Sequence, residues 1–157
     1  MKCLLLGGAP SVGKSETIYR LTRNLLAKGF VVVSGTVPAV FADFRAVLEG
    51  VDKSQNKVRI IINSATDTEK IITDFKDFYD RNGKYDIFIS SVRDDNFYPR
   101  SGFFIIMDLR RLATTILEIP MAKVTRQGVN FPVALNWYNA QLDNLLNHVI
   151  SESPFNI

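Results

Sequence analysis

The chain has 157 residues, 46% hydrophobic and 22% charged, with a net charge of +3 at pH 7. That balance suits one soluble globular domain over residues 1–157, and the basic excess is too small to argue for a nucleic-acid partner. A single cysteine, Cys3, excludes an intrachain disulfide framework, and no apolar stretch reaches the length of a bilayer span, so the expected setting is cytoplasmic with no membrane partner.

The apolar run Cys3 to Leu6 reads as a short buried strand and is too brief for a secretory signal. It leads into Gly8-Ala9-Pro10-Ser11-Val12-Gly13-Lys14-Ser15, after which Ile18, Leu21, Leu25 and Leu26 recur at helical spacing and Gly29 supplies a stop. Phe30 to Val33 is a second strand. Val37 to Gly50 admits two readings: a short helix started near Pro38, or a strand over Phe44 to Val51. The strand would pair through the polar turn Asp52 to Asn56 with Val58 to Ile62, and this antiparallel hairpin is preferred.

Thr66 or Asp67 then caps a helix with Ile71, Ile72, Phe75 and Phe78 on its apolar face, ending near Asn82-Gly83. Tyr85 to Ile89 is the next strand, and Ser90 to Gly102 an irregular segment. Ile105, Leu109, Leu112 and Ile116 have helical spacing, although Phe103 to Ile106 also suits a strand. Ile116 to Val124 is the expected last strand, and Pro132 to Ile150 a final amphipathic helix. Strands alternating with helices predict an α/β fold with a mainly parallel sheet.

The octet carries the chemistry. Gly8 and Gly13 lack a Cβ and accept positive φ, so the chain can curl round an anion with its N–H groups turned inward. Lys14 adds a mobile positive charge, Ser15 a hydroxyl placed for magnesium, and the helix N-terminus further partial positive charge. The predicted nucleotide-binding set is Gly8, Ala9, Pro10, Ser11, Val12, Gly13, Lys14, Ser15 and Glu16.

This octet matches G-x-x-x-x-G-K-[ST], the Walker A motif, and the chain here resembles the P-loop NTPase superfamily over about Lys2 to Lys28. The resemblance implies a three-layer fold, magnesium, and ATP or GTP. No Asn-Lys-x-Asp string is present, since Asn56-Lys57-Val58-Arg59 lacks the acid, so ATP is favoured over GTP.

A second acid should complete a magnesium site with Ser15. Asp67 follows the strand at Ile60 to Ile62, and Asp108 follows Phe103 to Met107; Asp67 is preferred, a helix-capping role being its alternative. Asp43 falls where an acid could meet an acceptor hydroxyl, or else is a solvated residue. Asp86 begins a strand and lies at the wrong edge. Arg93 follows the carboxyl end of a strand, so with Lys14 it is the predicted catalytic cation; surface pairing with Asp94 or Asp95 is its alternative. The leading functional expectation is a magnesium-dependent small-molecule kinase using ATP. The alternatives are a nucleotide-dependent switch acting on a protein partner, and a nucleotide binder without catalysis.

Overall fold

The computed structural model describes residues 1–95, 97–125 and 130–157. Its elements run β1 (Lys2–Gly7), α1 (Lys14–Ala27), β2 (Val31–Gly35), β3 (Arg45–Val51), β4 (Lys57–Asn63), α2 (Glu69–Asn82), β5 (Ile87–Val92), α3 (Tyr98–Ile106), α4 (Leu109–Leu112), β6 (Thr115–Pro120) and α5 (Phe131–Ser151). The strands form one six-stranded sheet in the order β2-β3-β4-β5-β1-β6. The pairs β4/β5, β5/β1 and β1/β6 are parallel, whereas β2/β3 and β3/β4 are antiparallel.

Both faces of the sheet are covered, because the strands alternate their side chains between two cores. Leu4 and Leu6 pack with Ile18, Leu25, Leu142 and Leu146 of α1 and α5. Cys3 and Leu5 point the other way, toward Phe75 of α2, Phe103 of α3 and Leu109 of α4. The expected α/β class with helices on both faces is therefore observed. No helix among the described residues is long and apolar enough to cross a membrane.

The hairpin preferred from sequence is present, with Arg45 opposite Asn63 and Val51 opposite Lys57. Its turn is organised by Asp52, whose carboxylate accepts the amides of Ser54 and Asn56 at 2.8 Å each. Gly50 sits inside β3 rather than stopping a helix: a Cβ there would fall 2.5 Å from the Phe30 ring, so glycine gives that ring its place against the sheet.

Other boundaries shift for identifiable reasons. Helix α2 is capped by Thr68, whose hydroxyl accepts from the Ile71 amide, and not by Thr66 or Asp67. Thr66 is buried against Ser91, and Asp67 is held by Arg93. Strand β5 runs on through Ser90, Ser91 and Val92, past the expected end at Ile89, because these residues pair with Leu5, Leu6 and Gly7 of β1. The helix read through Ile105 to Ile116 breaks at Asp108, in left-handed conformation with φ 51°, and Ile116 belongs to β6 instead. Strand β6 ends at Pro120, short of the expected Val124.

Candidate functional site

The carboxyl ends of the parallel strands make one rim, since Gly7 lies level with Val92 and Pro120, and Asn63 with Ser90. Ligands of open α/β sheets bind on such a rim. The segments after β1, β4, β5 and β6 all emerge there, which brings Gly8 to Ser15, Asp67 and Arg93 together.

Between β1 and α1 the backbone takes three positive φ values: 146° at Gly8, 59° at Ser11 and 90° at Gly13. Gly13 is the N-cap of α1 and no side chain caps this helix. Its carbonyl accepts the Thr17 amide at 2.9 Å, while the amides of Lys14, Ser15 and Glu16 have no acceptor among the described residues. A concave loop ending in free helix N–H groups favours a negatively charged occupant. Gly8 is also constrained sterically, since a Cβ would lie 3.2 Å from the Met121 carbonyl oxygen.

Lys14 is only 7% exposed, and its ammonium donates to the carbonyls of Gly8 at 2.6 Å and Ala9 at 2.7 Å. Burial holds its pKa below the ordinary lysine value, the neighbouring Arg93 charge adds to the depression, and Asp67 and Asp94 oppose it. Ser15 Oγ donates to the Ser64 carbonyl at 2.8 Å, which leaves its own lone pairs available. Glu16 is half exposed and pairs loosely with Arg20 at 3.7 Å.

Arg93 and Asp67 meet each other: Nη2 lies 2.8 Å from the Asp67 carboxylate. The Arg93 guanidinium also stands over the Phe97 ring, 5.6 Å from its centroid. Its Nε and Nη1 are buried with no hydrogen-bond partner among the described residues, and so is Oδ1 of Asp94. Buried groups of this kind are costly unless something satisfies them. Among the described residues the rim therefore holds unused donors on Arg93 and an unused acceptor on Asp94.

A cavity of about 400 Å³ opens here, lined by Ser11, Lys14, Ser15, Asp43, Asp67 and Arg93 among others. Across the loop a second cavity of about 610 Å³ runs between Pro10 to Gly13, the chain after β6 at Ala122 to Thr125, and Phe131, Tyr138 and Asn139. Pro10, Ser11, Gly13 and Glu16 line both. Val12 packs against the α1 and α5 core and lines the larger cavity. Pro10 to Glu16 of the predicted binding segment thus border open space, whereas Gly8 and Ala9 line neither cavity and meet the site through their carbonyls on Lys14.

Asp108 is elsewhere, paired with Arg111 beside Met1 at the amino-terminal ends of the strands. Asp86 is likewise at that end, its carboxylate accepting the Arg59 amide at 2.8 Å. Two participants escaped sequence reasoning. Asp94 was hidden because β5 continues three residues beyond its last isoleucine, so the acid stands just past a strand end and not in mid-loop. Ser64 follows β4 and bridges the site: its carbonyl takes the Ser15 hydroxyl and its own hydroxyl reaches Asp43 at 3.3 Å.

No group of three or more His, Cys, Asp or Glu side chains converges as a metal cage among the described residues. Magnesium bound with a nucleotide does not need one, because phosphates and water fill most of its octahedron. Such an ion would find Ser15 Oγ, with free lone pairs, and the Asp67 carboxylate on the cavity wall, and Asp94, whose charge acts on Lys14, past the end of the neighbouring strand. Comparison with known proteins finds no matching family model, no matching curated protein and no matching solved structure.

Proposed function

We propose that this protein binds ATP with magnesium in the loop from Gly8 to Glu16 and transfers the terminal phosphoryl group to a small acceptor, in the manner of a P-loop kinase. The observation that carries the reading is the loop itself. Three positive-φ residues and uncapped amides surround a buried lysine at the carboxyl end of a parallel strand.

The loop N–H groups and Lys14 would grip the β- and γ-phosphates. In doing so the anion competes with the Gly8 and Ala9 carbonyls for the ammonium, and a charged acceptor oxygen is the stronger partner. The Nε and Nη1 donors of Arg93, unpartnered among the described residues, would serve the transferred phosphate. Ser15, with Asp94 or Asp67, would hold magnesium, which when bound neutralises phosphate charge. Asp94 is the better candidate, since Asp67 is already engaged by Arg93.

The deciding measurement is equilibrium binding of ATP and GTP with and without magnesium, followed by turnover with and without acceptors. ATP should bind more tightly than GTP, and K14A should weaken ATP by about 100-fold, the cost of losing a desolvated charge partner. Unchanged binding in K14A would refute the assignment. D94N should reduce the magnesium dependence more than D67N. Turnover without any acceptor, coupled to a nucleotide effect on protein association, would replace the kinase reading by the switch.

A further inference from the structure

A third cavity, of about 470 Å³, lies between the start of β3, the carboxyl end of β4 and helix α2, and Asp43 lines both it and the phosphate cavity. We propose that this cavity holds the phosphoryl acceptor, and that the acceptor is a small hydroxylated acid whose oxyanion head pairs with Arg45. The proposal rests on the nucleotide reading above and adds the substrate class.

The wall chemistry points to that class. Arg45 and Asn63 are cross-strand partners, so their side chains leave the sheet on one face, the α2 face on which Val47 and Ile61 are buried two residues farther along. Arg45 stands 5.7 Å from the centroid of the Phe78 ring and forms no ion pair with any described residue. The acid whose titration it influences, Asp74, is held low first by its hydrogen bonds with Lys70 and in the last place by Arg45. A half-buried guanidinium with no carboxylate partner is suited to a planar oxyanion, which it can take through two N–H groups. Pro38, Phe44, Ile71 and Phe78 supply an apolar part of the wall, which fits a hydrocarbon body.

Asp43 fixes the orientation. Ser64 connects it to the loop, accepting from Ser15 Oγ through its carbonyl at 2.8 Å and reaching Asp43 Oδ1 through its hydroxyl at 3.3 Å. An ionised carboxylate only accepts hydrogen bonds, so it turns an acceptor hydroxyl toward the boundary between the two cavities. In the transfer the acceptor oxygen forms its bond to the γ-phosphorus and its proton passes to Asp43. The bond from that phosphorus to the β,γ-bridging oxygen breaks, and its electron pair leaves on ADP.

The test is a binding titration of 4-hydroxyphenylacetate and 3-hydroxybutyrate, each beside its neutral amide, on the whole chain with and without a non-hydrolysable ATP analogue. At least one acid should saturate, with its amide at least ten-fold weaker. R45Q should weaken that acid at least ten-fold, R45K should recover part of the loss, and both should bind the analogue as the parent does. Far-UV circular dichroism of both variants checks the fold. Failure of both acids to saturate, equal binding of acid and amide, or an unaffected R45Q overturns the proposal while analogue binding persists. Loss of analogue binding by the parent chain removes the nucleotide reading, and the acceptor assignment with it.

Discussion

Lys14 concentrates the residue-scale consequences, because it is a charge kept inside the protein by its own loop. Its depressed pKa means that the free protein loses the ammonium below the ordinary lysine range, while a bound polyphosphate would stabilise the charged form and raise the pKa again. ATP affinity should then fall as pH rises through the free-protein pKa, and binding in that same pH range should be accompanied by proton uptake. Calorimetry in buffers of different ionisation enthalpy measures that uptake, and K14A should abolish it. Cys3 is the opposite case, a group with no task. Burial pushes its thiol up to about 12, the N-terminal ammonium opposing only weakly, so it should resist alkylation at pH 8 until the chain unfolds. Thiol labelling in rising denaturant would follow the global transition; rapid labelling of the native protein would show that β1 is not packed as described.

At the scale of elements, β6 is tied to the segment after β5 through one ion pair. Arg100 at the start of α3 grips both oxygens of Glu118 at 2.8 Å, donates to the Arg93 carbonyl at 2.8 Å, and reaches Asp95. Glu118 projects across Gly7, where a Cβ would collide with its carboxylate. The glycine before the octet thus leaves the space that the Glu118 carboxylate occupies. G7A should destabilise the protein by about 1–3 kcal/mol through overpacking, measured by denaturant melts. E118A should cost about 2 kcal/mol, less than for a fully buried pair because both side chains keep some solvent. Since Arg100 also holds the Arg93 carbonyl, E118A should weaken ATP binding as well. The cap of α2 is an independent device: T68A should lose about 1 kcal/mol and leave nucleotide binding unchanged.

The whole molecule is one sheet with a core on each face, so neither core persists when the sheet opens. L4A removes packing against α1 and α5, and L5A removes packing against α2 and α3. Each should lower stability by about 2–5 kcal/mol, and in both variants unfolding should remain one transition. Trp137, exposed on α5, and far-UV circular dichroism give separate views of that transition, and non-coincident curves would show that the two layers unfold apart. The sheet also has an open edge at β2, where Val31, Val32 and Val33 are exposed. Such edges invite pairing between chains. V32K should therefore slow aggregation during refolding with little change in native stability.

Much of this was legible from local pattern. The apolar run at Cys3 to Leu6, the glycine-framed turn, the hairpin about Asp52 and the helical spacing after Thr68 each depend on contacts or dihedrals within a few residues, and all appear near their expected positions. What only the tertiary structure decided are meetings across the sheet. Asp67 and Arg93 pair because β4 and β5 are parallel neighbours, Arg45 faces an apolar wall because α2 packs on that side, and Ser64 links Ser15 to Asp43. Strand order and facing set such contacts, and both are fixed by burial of the whole sheet against two helical layers, which no short stretch of chain encodes alone.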